Sequence, residues 1–164
     1  MGRRSILIVC TGNICRSPTA EGVLRARAER RGLANRLKVE SAGMGDWHVG
    51  DAPDARATKH AAKRGYDLSP LRASQVTRNV FDEFDYILAM DRGHLRALRA
   101  MAPKDSRARI ALFLEPSAQW KGEDVPDPYY GGPEEFEQVL DMVEEAAERW
   151  LDLIEAEAPT SRPS

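Results

Sequence analysis

The stretch ILIVCTGNICRSP, residues 6–18, decides how this chain folds. With Ser5 it opens as SILIVC, a short β-branched apolar run of the kind found in strands buried on both faces of a parallel sheet. Gly12-Asn13 interrupts the run as a turn, and SPTAEGVLRARAERRG then carries helix signals. Ser17 is placed to cap, Pro18 suits the first helical position and Glu21 adds acid to the first turn. Val23, Leu24 and Ala28 give the helix an apolar side, and Gly32 ends it. The opening unit is therefore strand, loop, helix.

The same alternation continues downstream. LKVESAG reads as a second strand that breaks at Gly43, followed by a Gly-, Asp- and Pro-rich loop containing Trp47. A helix is predicted over about 55–64, closed by Gly65, and a strand over 86–90. DRGHLRALRAMA is a helix, ARIALFLE a strand, and the segment from Glu134 onward a long helix. That last helix has an apolar stripe running from Phe136 through Val143 and Trp150 to Ile154. Strands alternating with helices predict an α/β fold, a single-domain three-layer sandwich over residues 1–157. The end, APTSRPS (158–164), reads as a flexible tail.

Composition narrows the function. The chain has 164 residues and a net charge of −2, which gives no reason to expect nucleic acid or membrane insertion. Met1 to Arg4 before SILIVC imitates a signal peptide, but the apolar part is too short and lacks a cleavage site. A cytoplasmic location with reduced thiols is expected. Two cysteines and three histidines supply neither a disulfide framework nor a zinc spacing. No metal or other cofactor is called for.

The loop between strand and helix is where chemistry concentrates. In doubly wound folds the first βα loop is the usual anion cradle, because the free N–H groups and dipole of the helix N-terminus favour negative charge. Cys10 stands at that point, where a thiolate is favoured. Arg16 lies six residues on, and its planar fork matches two phosphoryl oxygens at once. Ser17 is positioned to hydrogen-bond the Cys10 sulfur, and Gly12 and Asn13 suit the left-handed turns that bring successive amides inward. Taken singly, a cysteine ending a buried strand is inert core and an arginine near a helix start is a surface charge. Their coincidence points to phosphoryl transfer to sulfur. A nucleotide-binding loop fits less well, since G-x-x-x-x-G-K-[ST] and its lysine are absent.

CTGNICRS followed by Pro18 resembles the phosphate-binding loop of the low-molecular-weight protein tyrosine phosphatases, and the resemblance runs from Ile6 to Ile154. It implies a central four-stranded parallel sheet and hydrolysis of protein tyrosine phosphate through a cysteinyl-phosphate. Cys10 would be the nucleophile and Arg16 the phosphate clamp, with Thr11, Gly12, Asn13, Ile14, Cys15 and Ser17 completing the binding loop. Expelling a tyrosine phenolate, with a solution pKa near 10, requires a proton. VPDPYYGG resembles the family's acid loop, which assigns Asp127 as general acid and then general base, and Tyr129 and Tyr130 as cleft walls. Trp47 falls where the family places a wall residue that tunes substrate preference. Glu21, Ser41 and Asp91 match supporting positions, Asp91 being equally readable as a simple helix cap.

One departure is visible: Leu71 stands where many members have a histidine that joins the Asn13 network. The resemblance also implies that Cys15 pairs with Cys10 on oxidation and shields it. It further implies phosphate and vanadate as inhibitors and phosphotyrosine proteins, among them a bacterial tyrosine kinase, as partners. Arsenate reduction through further cysteines is disfavoured because Cys10 and Cys15 are the whole complement. A phosphoarginine phosphatase is nearer, but Ile14 resembles the phosphotyrosine type. A module that only docks phosphate would need neither Cys10 nor Asp127.

Overall fold

The computed structural model describes residues 3–157, so the expected tail at 158–164 lies outside the described residues. Four strands, β1 (Arg4–Cys10), β2 (Leu37–Gly43), β3 (Tyr86–Ala89) and β4 (Arg109–Leu112), form one sheet in the order β2-β1-β3-β4. All neighbouring pairs are parallel. Connecting them are α1 (Arg16–Arg30), α2 (Ala55–Lys63), α3 (Val80–Glu83) and α4 (Arg92–Met101), and α5 (Pro133–Ala156) closes the chain.

Period-two alternation along β1 builds two cores. Ile6, Ile8 and Cys10 face one side, where Leu24 of α1 and Val143, Trp150 and Ile154 of α5 pack. Leu7 and Val9 face the other side, against Phe81 of α3 and Leu98 of α4. Each face of the central strands is covered, which is why β1 is apolar without interruption. The stripe predicted on the last helix is buried from Phe136 to Ile154, and Trp150 donates its indole N–H to the Phe113 carbonyl at 2.7 Å.

The start of α1 differs from the sequence expectation. The helix begins at Arg16, with Cys15 at the cap position and no side chain capping it. Ser17 is therefore inside the first turn rather than before it, Pro18 is the third helical residue, and Glu21 lies beyond the first turn. The displacement has a chemical reason: the Ser17 hydroxyl bonds the Cys10 sulfur instead of a helix amide. Two short elements carry no periodic signal and are seen only in the structure, the 3-10 turn Ala34–Arg36 and the single-turn helix α3. The remaining strands and helices lie within one or two residues of their predicted bounds, except β4, which ends at Leu112, three residues before the end of the predicted ARIALFLE strand.

Candidate active site

The carboxyl end of β1 opens onto a cleft of about 470 Å³, which the segment after β2 also lines. Its floor is the loop after β1, with Cys10, Thr11, Gly12, Ile14, Cys15 and Arg16 all lining it. Trp47 and His48 form one wall, and Asp127, Tyr129 and Tyr130 the other. The structure thus brings the distal VPDPYYGG segment to the cysteine loop. Trp47 is 67% exposed and Tyr130 93%, so both are rim residues free to meet a ligand. Tyr129 and Tyr130 meet edge to face with ring centroids 5.0 Å apart.

The loop is held open by a chain of side chains behind it. Asn13 has φ 59°, a left-handed conformation that costs a non-glycine residue about 1–2 kcal/mol. Its amide offsets that cost through three bonds, each contributing about 0.5–1.5 kcal/mol. Asn13 Nδ2 donates to Ser17 Oγ at 2.8 Å and to Ser41 Oγ at 2.9 Å, and Oδ1 accepts the Ser74 N–H at 2.9 Å. Ser41 passes its own proton to Glu21 Oε1 at 2.6 Å. Ser17 Oγ, which accepts from Asn13, lies 2.9 Å from Cys10 Sγ, and its O–H is available to donate there when the sulfur is a thiolate. A continuous chain of polar contacts therefore runs from Asn13 to the sulfur. Asn13 and Ser17 are buried behind the floor rather than exposed to the cleft.

This chain also accounts for the missing histidine. Leu71 packs against the core on the α1 and α5 side, and the Ser74 backbone N–H satisfies the Asn13 carbonyl in its place. Gly43 is required nearby, since a Cβ there would stand 2.8 Å from the Thr11 carbonyl oxygen. The Glu21 carboxyl is pushed above its ordinary pKa by burial, against the opposing effects of Ser41 and Arg25.

In front of the chain, the amides of residues 12–16 make no hydrogen bond to another group among the described residues, as befits a loop that turns into a helix N-terminus. Arg16 is buried, and its fork is already aimed. Nη1 donates to Asp91 Oδ2 at 2.9 Å and to the Val125 carbonyl at 3.0 Å, while Nη2 donates to Thr11 Oγ1 at 3.2 Å and lies 3.7 Å from Asp127 Oδ2. Asp91 proves to be both of the things its sequence context allowed: it caps α4 by accepting the His94 N–H at 2.9 Å, and it anchors Arg16. Burial opposes its negative charge, but the His94 N–H and the His94 and Arg16 charges outweigh that and hold its pKa below the usual value.

Asp127 is about half exposed across the cleft, its Oδ1 accepting the Tyr129 N–H at 3.0 Å and its Oδ2 turned toward Arg16. Cys15, in contrast, is buried against Ile14, Ala57 and Phe136. Burial, with Asp54, Asp127 and Cys10 adding to it, pushes its thiol up to about 12, so it stays protonated near neutrality. Both cysteines are free and line the cleft, and Cys10 is the one whose sulfur lies within 2.9 Å of the Ser17 hydroxyl.

Three contributors escaped the sequence reading. His48 lies against Gly12 with Nδ1 3.1 Å from Asp51 Oδ2, a place its position beside Trp47 foreshadowed. Arg56 donates to the Tyr129 carbonyl at 2.8 Å and ties the Asp127 loop to the start of α2, where Asp54 N–H in turn bonds the Ile14 carbonyl. His94 is buried beside Thr11; the Asp-x-x-His spacing at a helix start was its available signal.

The model of the low molecular weight phosphotyrosine protein phosphatases matches residues 5–160. A low-molecular-weight protein-tyrosine-phosphatase of Streptomyces coelicolor is 45% identical over 145 residues, covering 87% of this chain and 88% of that protein. Among solved structures, a protein tyrosine phosphatase from Entamoeba histolytica superposes with TM-score 0.89 at 35% identity, covering 93% of this chain and 97% of its own. A Drosophila arginine phosphatase superposes with TM-score 0.86 at 31% identity, covering 93% and 99%.

Proposed function

The chain belongs to the low molecular weight phosphotyrosine protein phosphatases and hydrolyses phosphotyrosine; we propose that it does so with Cys10 as nucleophile, Arg16 as clamp and Asp127 as proton carrier. The observation that supports the Cys10 reading is the Ser17 hydroxyl, held by Asn13 at 2.9 Å from Cys10 Sγ. A hydroxyl pointing at sulfur stabilises negative charge there, both before attack and when sulfur leaves phosphorus. Such a bond to a charged atom is worth about 1.5–3 kcal/mol.

In the first step a phosphoryl group sits on the loop amides, and the Arg16 fork spans two of its oxygens. Cys10 sulfur forms a bond to phosphorus as the phosphorus–oxygen bond to the phenol breaks. Asp127, across the cleft, gives its proton to the departing oxygen. In the second step the Asp127 carboxylate takes a proton from water, whose oxygen attacks phosphorus. Sulfur leaves as thiolate, received by the Ser17 hydroxyl. Cys15, held as a thiol, does not compete; we propose that its role is to pair with Cys10 under oxidation.

The aromatic rim supports an aryl substrate. Trp47, Tyr129 and Tyr130 offer ring contacts worth about 0.5–1.5 kcal/mol each, and Ile14 presents an apolar side chain on the floor. A phosphotyrosine peptide is therefore expected to be hydrolysed at least about tenfold faster, in kcat/KM, than the same peptide carrying phosphoarginine. EDTA should leave that rate unchanged, since Arg16 and the loop amides supply the positive charge, and vanadate should inhibit. Faster hydrolysis of the phosphoarginine peptide, or loss of activity in EDTA, contradicts the proposal. Among the described residues no helix is long and apolar enough to cross a membrane. A cytoplasmic location, and a tyrosine kinase among the physiological substrates, belong to the same proposal.

A further inference from the structure

We propose that His94 is a positioning residue for the phosphate clamp: its Nε2 receives the Thr11 hydroxyl proton and thereby fixes Thr11 Oγ1 as the acceptor that orients Arg16. The inference rests on the reading of Arg16 as clamp and extends it to His94, which lies outside the loop and acts through Thr11 within it. It follows from counting protons. Thr11 Oγ1 accepts from Arg16 Nη2 at 3.2 Å, so its own hydrogen is free to go elsewhere. The partner in reach is His94 Nε2 at 2.8 Å. The Asp91 carboxylate oxygen 3.1 Å from Nδ1 favours a proton rather than a lone pair on that nitrogen, which leaves Nε2 of a neutral ring to accept from Thr11.

Nδ1 faces Asp91 Oδ1 at 3.1 Å without forming an aligned hydrogen bond, and it has no other hydrogen-bond partner among the described residues. Asp91 Oδ2 takes Arg16 Nη1, so the four residues close a ring: Arg16 to Thr11, Thr11 to His94, His94 to Asp91, Asp91 to Arg16. The guanidinium is thus braced at Nη1 by Asp91 and the Val125 carbonyl and at Nη2 by Thr11, which leaves the Nε–H and one Nη2 hydrogen for a phosphoryl group. The groups around the imidazole come from three elements. Asp91 lies at the start of α4, Arg16 on α1, and Asp124 and Asp127 on the loop before α5. Burial pushes the His94 pKa below its ordinary value; Asp91 works against this and the Arg16 charge reinforces it. A neutral ring near pH 7 is what the proton count requires. With an apolar residue in its place, the Thr11 hydroxyl would lose its proton acceptor and turn freely, and Arg16 would lose a fixed brace.

The test compares His94→Phe, His94→Gln, Thr11→Val and the double variant His94→Phe/Thr11→Val in the full chain. Calorimetry reads inorganic phosphate binding, and nitrogen-15 NMR reads the His94 ring in the unsubstituted protein. His94→Phe and Thr11→Val should each weaken phosphate binding about tenfold, and the double variant no further. His94→Gln, whose amide oxygen can accept the Thr11 proton, should stay within about threefold of the original. The ring should be neutral at pH 7 with its proton on Nδ1. A proton on Nε2, full phosphate affinity in Thr11→Val, or equal losses in His94→Gln and His94→Phe would each overturn the proposal. The NMR and Thr11→Val readings stand even if His94→Phe does not fold. Neither readout involves turnover, so a failure of the hydrolytic mechanism would show separately, as phosphate binding without hydrolysis in the unsubstituted protein.

Discussion

Cys10→Ser is expected to lower hydrolysis of p-nitrophenyl phosphate by on the order of 10⁴-fold or more while inorganic phosphate still binds. The substitution changes one atom and leaves the cradle. The free amides of residues 12–16 and the braced Arg16 fork hold the anion without help from the sulfur. What is lost is the sulfur nucleophile, since a hydroxyl attacks phosphorus far more weakly than a thiolate. Phosphate binding measured by calorimetry and turnover measured by phenolate release should therefore part company. Retained turnover would remove Cys10 from the mechanism; lost binding would make its role one of holding the loop.

Asp127→Ala is expected to produce the second largest loss, and one that depends on the substrate. For phenyl phosphate, whose leaving group is as basic as tyrosine's, kcat/KM should fall by about 10²–10⁴-fold. For a phosphate ester of a strongly acidic phenol the fall should be much smaller, since that oxygen departs without a proton. Reading kcat/KM isolates the step in which the phenol leaves from the later step in which Asp127 acts as base. The geometry supports the distinction: Asp127 is half exposed, and its contact with the loop is a loose ion pair, 3.7 Å from Arg16. Equal losses for both substrates would assign Asp127 to binding and leave the proton donor to be found elsewhere.

The parts of this molecule that could be read in the sequence are those whose signal is local. SILIVC announces a strand buried on both faces because five consecutive positions, Ile6 to Cys10, are buried in the structure. The pairing of Cys10 with Arg16 is legible because one loop contains both. Asp127 was reached differently, through the proton that phenolate departure demands together with the likeness of DPYY to a known acid loop. Ser17 carries two readings in the sequence, a helix cap because it precedes a proline and an acidic residue and a partner for the Cys10 sulfur, and the structure keeps the second. Leu71 looked like a gap in the support of Asn13. It is not one, since a backbone amide fills the place, and backbone donors leave no trace in side-chain identity. His94 and Arg56 act through partners 83 and 73 residues away, Thr11 and Tyr129, which only the folded sheet brings within reach.

The most direct test of the covalent mechanism is to trap the intermediate. Mixing the protein with excess p-nitrophenyl phosphate, quenching it in acid within the first turnovers and mapping its peptides by mass should reveal one added phosphoryl group on the peptide containing Cys10. The modified residue should be Cys10 and not Cys15, whose thiol is held at about 12 by burial and nearby carboxylates. A phosphoryl group on any other residue, or steady hydrolysis with Cys10 unmodified at every quench time, would contradict the cysteinyl-phosphate mechanism.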